Sequence, residues 1–148
     1  MCTEIDRIVA TEIVADEIKP FTEALGLSPL IFNQILMTSI GALASFGEQF
    51  RQTLSEWHWK MITLSNGAFI LEPVPPENLT IHQLHLQNPM NYFDNNVSIP
   101  TAGIIATIFS LSHAMERFDN KVLHETYQKV LDYGCQQSES SLIIAAID

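Results

Sequence analysis

Residues 58–71 carry the clearest structural signal in the chain and read His58-Trp59-Lys60-Met61-Ile62-Thr63-Leu64-Ser65-Asn66-Gly67-Ala68-Phe69-Ile70-Leu71. Asn-Gly between two apolar runs is the strongest short-range indication of a β-hairpin, because the tightest turn needs positive φ at both central residues. We therefore predict an antiparallel hairpin with its turn at Asn66-Gly67. Its second strand is expected to stop at Pro73, Pro75 and Pro76, because proline cannot donate to a strand ladder.

Two more strands are predicted after the hairpin, over about residues 79–84 and 92–97. Gln87-Asn88-Pro89 lies between them and indicates a turn. Helices are expected on both sides of these strands. Ser28-Pro29 and Ser98 with Pro100 each place a capping hydroxyl before a proline in the first helical turn, and two further helices are predicted over about 122–135 and from residue 138.

The first 23 residues are the most acidic part of the chain, with six acids against Arg7 and Lys19. Apolar residues recur there at helical spacing until Pro20, namely Ile5, Ile8, Val9 and Ile13. Helices, then strands, then helices indicate an α+β fold. We predict one domain over residues 1–148, with a small antiparallel sheet of three to four strands packed by about five helices and an acidic N-terminal helix region over residues 1–23.

The charge of the chain argues against direct binding to DNA. The formal net charge is −10, and the seven basic residues are scattered singly between Arg7 and Lys129. Nucleic acid is a polyanion, so a protein that grips it normally carries a concentrated basic surface. An acidic chain instead suits a partner with a basic surface, such as the DNA-binding face of an enzyme.

A cytoplasmic location with no membrane span is expected. The N-terminus is acidic where a signal peptide would be basic, and polar residues and Pro29 interrupt the uncharged stretch from Ala24 to Gly47, which we interpret as a buried helix. Cys2 and Cys135 lie near opposite ends of the chain, which indicates no disulfide framework. We expect a reducing compartment and a buried, inert thiol at Cys135.

Three blocks resemble the ArdB/KlcA family of antirestriction proteins in order and spacing over about residues 57–148. Residues 58–69 are similar to the family's hairpin, an aromatic-Trp pair followed by Leu-Ser-Asn-Gly-Gly-Phe. The second block resembles the family's helix start, Leu-Ser-(x)3-Ala-Gly-Ile-(Val/Ile)-Ala-Thr, and reads Val97-Ser98-Ile99-Pro100-Thr101-Ala102-Gly103-Ile104-Ile105-Ala106-Thr107. The third block resembles its closing helices and consists of Tyr127, Tyr133, Glu139 and Ala146-Ile147-Asp148. The chain is identified as a divergent member, because the family usually has an arginine at the position of Ala145.

The resemblance implies a protein, typically carried by a plasmid or another mobile element, that relieves type I restriction of incoming DNA without catalysis. Its expected partner is a protein subunit of a type I restriction-modification complex, and its expected state is a monomer or weak homo-oligomer. The resemblance also indicates six partner-binding residues: Trp59, Ser65, Asn66, Ser98, Glu139 and Asp148. Each has a structural alternative, since Trp59 can pack in the sheet, Asn66 can form the turn and Ser98 can cap a helix.

Other functions stay open beside this one. The apolar stretch from residue 24 to 47 could build an oligomer interface, which would suit a non-enzymatic interaction module that kept the fold without the activity. A DNA mimic would need rows of acids, and the local concentration here is Glu4, Asp6, Glu12, Asp16, Glu17 and Glu23. We predict no enzyme, cofactor or metal site, because the chain has no nucleophile elbow or phosphate loop, and His82 and His85 are expected on opposite faces of a strand.

Overall fold

The computed structural model describes residues 7–13, 22–42, 56–118 and 120–148. Within these residues the elements follow one another as β1 (Ala10–Ile13), α1 (Pro29–Ala42), β2 (His58–Leu64), β3 (Phe69–Val74), β4 (Gln83–Asn88), β5 (Phe93–Ser98), α2 (Ile99–Arg117), α3 (Lys121–Cys135) and α4 (Ser140–Ile147). The predicted α+β class is confirmed. The strands divide between two antiparallel sheets, one with the order β1-β2-β3 and one formed by β4 and β5.

The predicted hairpin is present as β2 and β3, and Thr63 pairs with Phe69 at its closed end. Its loop differs from the expected tight turn. Leu64 N donates to the Ala68 carbonyl at 2.9 Å and encloses three residues, 65–67, of which Gly67 alone has positive φ, at 92°. This is a common hairpin loop in which the last residue is left-handed. The strand also continues through Pro73 to Val74, which is possible because proline is tolerated where a strand lies at a sheet edge.

The N-terminal helix prediction is wrong for residues 10–13, which form β1 against β2. The physical reason is the open edge of β2, whose backbone groups pair with those of residues 10–13 when these are extended. Thr63 Oγ1 also donates to the Thr11 carbonyl at 3.1 Å. Residues 7–9, which include Ile8 and Val9, are not helical either, and the remaining parts of the predicted helix, including Ile5 and residues 14–20, lie outside the described residues.

The β4 prediction is also displaced, because the strand spans 83–88 rather than 79–84. Along it Leu84, Leu86 and Asn88 are buried, and the intervening residues are exposed. The sequence predicts Asn88 in the turn, but Asn88 is the last residue of the strand, and its side chain donates to the Ala146 carbonyl on α4. The turn therefore occupies residues 89–92.

Helix α2 forms the centre of the molecule, and residues 101–108 are all buried. It packs against β3, both strands of the smaller sheet, and helices α1, α3 and α4. Gly103 and Thr107, one turn apart, face the free edge of β3. A Cβ on Gly103 would lie 2.7 Å from the Leu71 carbonyl oxygen, and Thr107 Oγ1 accepts a hydrogen bond from Leu71 N at 2.9 Å. The helix thus covers the sheet edge that would otherwise stay unpaired.

Helix α1 packs on α2 and contributes to the core. Phe32, Ile35 and Leu36 are buried, and the Phe32 ring meets Phe69 edge-on at 5.7 Å between centroids. The apolar stretch expected as a buried helix is therefore helical and buried on one face over its described part, whereas residues 43–47 and the side chains of residues 40–42 lie outside the description.

Cys135 is disulfide-bonded, which corrects the expected free thiol. The chain's other cysteine, Cys2, lies outside the described residues. Spacing along the chain gave no indication of this bond, because tertiary structure decides which distant cysteines meet. None of the helices in the described part of the chain is long and apolar enough to cross a membrane.

Candidate functional site

The two predicted site residues Ser98 and Glu139 are brought into direct contact at the start of α2. Ser98 is the N-cap of the helix, and its hydroxyl accepts a hydrogen bond from Thr101 N. The Glu139 carboxylate lies across the same helix end. Its Oε1 atom accepts bonds from the Ser98 hydroxyl, from Ser98 N at 3.2 Å and from Thr101 Oγ1 at 2.7 Å. We call Ser98, Thr101 and Glu139 the capping cluster.

The capping cluster fixes the Glu139 carboxylate in its charged form. Burial raises the pKa of Glu139, but the hydrogen bonds from Ser98 and Thr101 together outweigh burial and hold the pKa below its usual value of 4.5. The positive end of the α2 dipole acts in the same direction. The anion position of this helix N-terminus is thus filled by the protein's own side chain, which links α2 to the start of α4.

Ser65 and Asn66 share the β2–β3 loop but bind different parts of the chain. Ser65 holds the N-terminal strand, because its N donates to the Val9 carbonyl and its Oγ accepts from Val9 N, both at 2.9 Å. Asn66 Nδ2 donates to the Lys129 carbonyl on α3 at 3.0 Å, and its Oδ1 accepts from Ala68 N at 3.2 Å. These bonds explain the two residue types, and a role in partner binding remains a prediction.

Trp59 and Asp148 lie on other elements. Trp59 is half-buried on β2, where it pairs with Pro73 and packs against the core. Asp148 is exposed after the last turn of α4, and its N donates to the Ile144 carbonyl at 3.0 Å. The structure therefore joins Ser98 to Glu139 and Ser65 to Asn66, while Trp59 and Asp148 occupy separate positions.

Lys60 and Glu72 form a cross-strand ion pair that connects the three-stranded sheet. Lys60 Nζ lies 3.1 Å from Glu72 Oε2 and 3.5 Å from Glu12 Oε2. The hydrogen bond to Glu72 raises the pKa of Lys60 in spite of partial burial. Burial, followed by the negative charge of Glu72, raises the pKa of Tyr133. This network binds β1, β2 and β3 together, and nothing in it resembles a nucleophile with its base.

A cavity of about 670 Å³ lies between the N-terminal strand segment and the end of α3. It is lined by Arg7, Ile8, Val9, Ala10, Tyr133, Gln136 and Gln137. These lining residues include no carboxylate, histidine or cysteine, and Tyr133 is the one side chain among them of a type that serves in acid-base or nucleophilic catalysis. Within the described ranges, no three His, Cys, Asp or Glu side chains are placed to hold a metal ion.

The turn between β4 and β5 has a geometry that the sequence analysis missed. Met90 is 89% exposed and Tyr92 is 92% exposed. Tyr92 also has φ of 62°, a left-handed conformation that no other described non-glycine residue adopts. We call residues 89–92 the β4–β5 tip. Asn88 and Asn91 are residues that typically stabilise turns through their side chains. They do not indicate which residue of the turn takes positive φ.

Comparison with known proteins identifies the family. The model of a family described as "Antirestriction protein" matches residues 53–148. This span contains the capping cluster, the β4–β5 tip and every described strand except β1. The chain belongs to the antirestriction protein family. Two curated relatives from Escherichia coli are the K12 protein YafX, 29% identical over 101 residues (68% of this chain and 64% of YafX), and the antirestriction protein KlcA, 30% identical over 94 residues (61% of each). The chain spans about three fifths of the length of these relatives.

A solved structure extends the likeness of this antirestriction family member to the whole chain. The structure of the KlcA and ArdB proteins covers 100% of both chains with a TM-score of 0.68 at 22% sequence identity, which shows the same fold. Those proteins are described as having a novel fold and antirestriction activity against type I DNA restriction systems in vivo but not in vitro.

Proposed function

We propose that the protein relieves type I restriction of incoming DNA by binding a protein subunit of the restriction machinery, without catalysis and without direct contact with DNA. The observation that carries this proposal is the family match over residues 53–148. The net charge of −10 supports a protein partner with a basic surface over a nucleic acid. We propose the cytoplasm as its location, and a mobile element such as a plasmid as its carrier, because restriction acts there on incoming DNA.

In a reducing cytoplasm the disulfide of Cys135 is expected to be open. The function is therefore proposed for the reduced chain, and the test belongs in living cells. The alternative of an oligomerisation module has less support, because Phe32, Ile35 and Leu36 on α1 are used for the protein's own core. We propose a monomer or weak homo-oligomer, which size-exclusion chromatography with light scattering measures directly.

The experiment is a plating assay with unmodified phage on a host that carries a type I restriction system. Expression of the protein is expected to raise the plating efficiency toward that of a non-restricting host. Phage already modified by the host methyltransferase provides the control, since its plating should not respond to the protein. Unchanged plating of unmodified phage, with the protein present in soluble form, contradicts the proposal for that system.

A further inference from the structure

The β4–β5 tip presents two large apolar side chains on a backbone that is held rigidly. Asn88 Nδ2 donates to the Ala146 carbonyl at 2.9 Å, and Asn91 Nδ2 donates to the carbonyls of Ala145 and Ala146 at 3.0 and 3.1 Å. The same two side chains also accept backbone hydrogen bonds, Asn88 from Met90 N at 3.1 Å within the tip and Asn91 from Phe93 N at 3.0 Å at the start of β5. The tip is therefore fixed to the end of α4 by both asparagine side chains.

This arrangement is unfavourable for the isolated protein. A left-handed conformation is unfavourable for a residue with a Cβ, and glycine or asparagine would occupy it more easily than tyrosine. Exposure of Met90 and Tyr92 to water adds to the cost, because neither ring nor thioether is covered. Backbone strain kept by surrounding bonds is typical of binding and catalytic positions, and tyrosine is among the residues enriched at binding hot spots.

The charge around the tip indicates what kind of molecule fits it. Residues 61–116 and 130–148 contain no lysine or arginine, so β4, β5, the tip and α4 carry none. The charged groups on these elements include Asp94, which is exposed and pairs with His85 Nε2 across the two strands, and Asp148 lies just beyond α4. An acidic surround disfavours nucleic acid, an anionic lipid surface and a second copy of the same tip, whereas it favours a basic protein surface.

We propose that the β4–β5 tip is a protein-docking surface, and that Met90 and Tyr92 enter an apolar pocket on a partner protein whose rim is basic. Beside the tip, a hollow of about 320 Å³ lined in part by Pro89, Phe93 and Asp94 gives room for a side chain of that rim. The proposal rests on the proposed function, because the partner is taken to be a subunit of the restriction machinery. It adds which face binds and by what chemistry.

The test measures, in restricting cells, the protein concentration that gives half of the maximal protection of unmodified phage. Tyr92→Gly removes the side chain and suits the positive φ, so this variant should melt at the same or a higher temperature than the parent. Together with Met90→Ser it should raise the required concentration by about 30-fold, the effect of losing a hot spot. Leu30→Ser is the matched control, because Leu30 is also exposed, at 67%, but lies on α1, and it should protect as well as the parent.

Gln87 allows a separate test of charge. It is exposed on β4 and pairs with Asp94 across the strands. Gln87→Lys should stabilise the hairpin through a cross-strand charge pair yet weaken protection, because it places a cation against a basic rim. Gln87→Glu should protect at least as well as the parent although it faces Asp94. Equal protection by the two variants would exclude a basic partner surface.

The possible outcomes separate the two proposals. Protection by the parent and by Leu30→Ser, with loss in the folded tip variants, supports the docking surface. Full protection by the tip variants at the parent's concentration overturns the docking surface and leaves the proposed function standing. A parent that forms dimers which Tyr92→Gly dissociates makes the tip a contact between copies and also overturns it. A soluble parent that does not protect at all contradicts both proposals.

Discussion

At the scale of single residues, Glu139 has its effect through the hydrogen bonds that it accepts. One of its carboxylate oxygens accepts hydrogen bonds from the hydroxyls of Ser98 and Thr101 and from the backbone N–H of Ser98 at the start of α2. The same residue lies just before α4, so a single side chain fixes the beginning of one helix relative to another. The resemblance indicated Ser98 and Glu139 as separate partner-binding residues, and the fold makes them one structural unit.

Glu139→Gln should make the stability of the protein less dependent on acid. The pKa of Glu139 is lowered in the folded protein and close to 4.5 in the unfolded chain, so the carboxylate stabilises the fold above pH 4.5 and this contribution is lost as the pH falls through the folded value. At pH 7 the variant should be less stable by about 1 kcal/mol, because a neutral amide accepts weaker hydrogen bonds. Denaturant unfolding from pH 7 to pH 3 measures the difference in the free energy of unfolding between the parent and Glu139→Gln. A difference that stays constant over this range contradicts the argument.

At the scale of elements, the contact of α2 with β3 explains the small residues in the block Ala102-Gly103-Ile104-Ile105-Ala106-Thr107. Gly103 lets the helix approach the strand backbone, and Thr107 completes the hydrogen bonding of that strand. Thr107 Oγ1 in turn donates to the Gly103 carbonyl at 2.8 Å. A helix thus takes the place of a fourth strand at this edge of the sheet.

Gly103→Ala should destabilise the protein by about 1–3 kcal/mol, because its Cβ would meet backbone atoms of Leu71 and Glu72 that cannot move aside cheaply. Thr107→Val should cost about as much by leaving Leu71 N buried without an acceptor. Gly134→Ala is the control, since a Cβ there meets only side chains at 3.4 Å or more. It should be neutral or stabilising by up to about 1 kcal/mol. Thermal or urea unfolding measures the stability of the three variants. Similar losses of stability for Gly103→Ala and Gly134→Ala would show that the backbone contact at Gly103 is unimportant.

At the scale of the whole molecule, the two sheets depend on different supports. Helix α2 contacts both sheets, but the β4–β5 pair is too small to be stable alone and is also tied to α4 through Asn88 and Asn91. The end of α4 and the smaller sheet should therefore open together, while the larger sheet stays closed.

Asn88→Ala should speed amide hydrogen exchange in β4 and β5 and change β2 and β3 little. The substitution removes a buried donor to the Ala146 carbonyl and the acceptor for Met90 N, a loss of about 1–3 kcal/mol. Gln83→Ala provides the control, because Gln83 is exposed on β4 and should change stability by less than about 0.5 kcal/mol. If Asn88→Ala speeds amide exchange in β2 and β3 as much as in β4 and β5, the two sheets do not open separately.

Local sequence patterns determined the elements that local chemistry can specify. Asn66-Gly67 between apolar runs determined the hairpin, and Ser98 with Pro100 determined the start of α2, because turns and helix caps depend on neighbouring residues. The same local rules predicted a helix for residues 10–13, and the open edge of β2 overrode them in favour of a strand.

The tertiary structure alone decided the relations between distant residues. It joined Ser98 to Glu139, laid α2 along the edge of β3, paired Cys135 in a disulfide, and held Tyr92 in a left-handed turn by bonds to α4. Each of these depends on groups that lie far apart in sequence and become neighbours only when the core closes. The sequence by itself thus determined the fold class and the family resemblance, because both rest on short motifs, while the surface available for a partner was decided by packing.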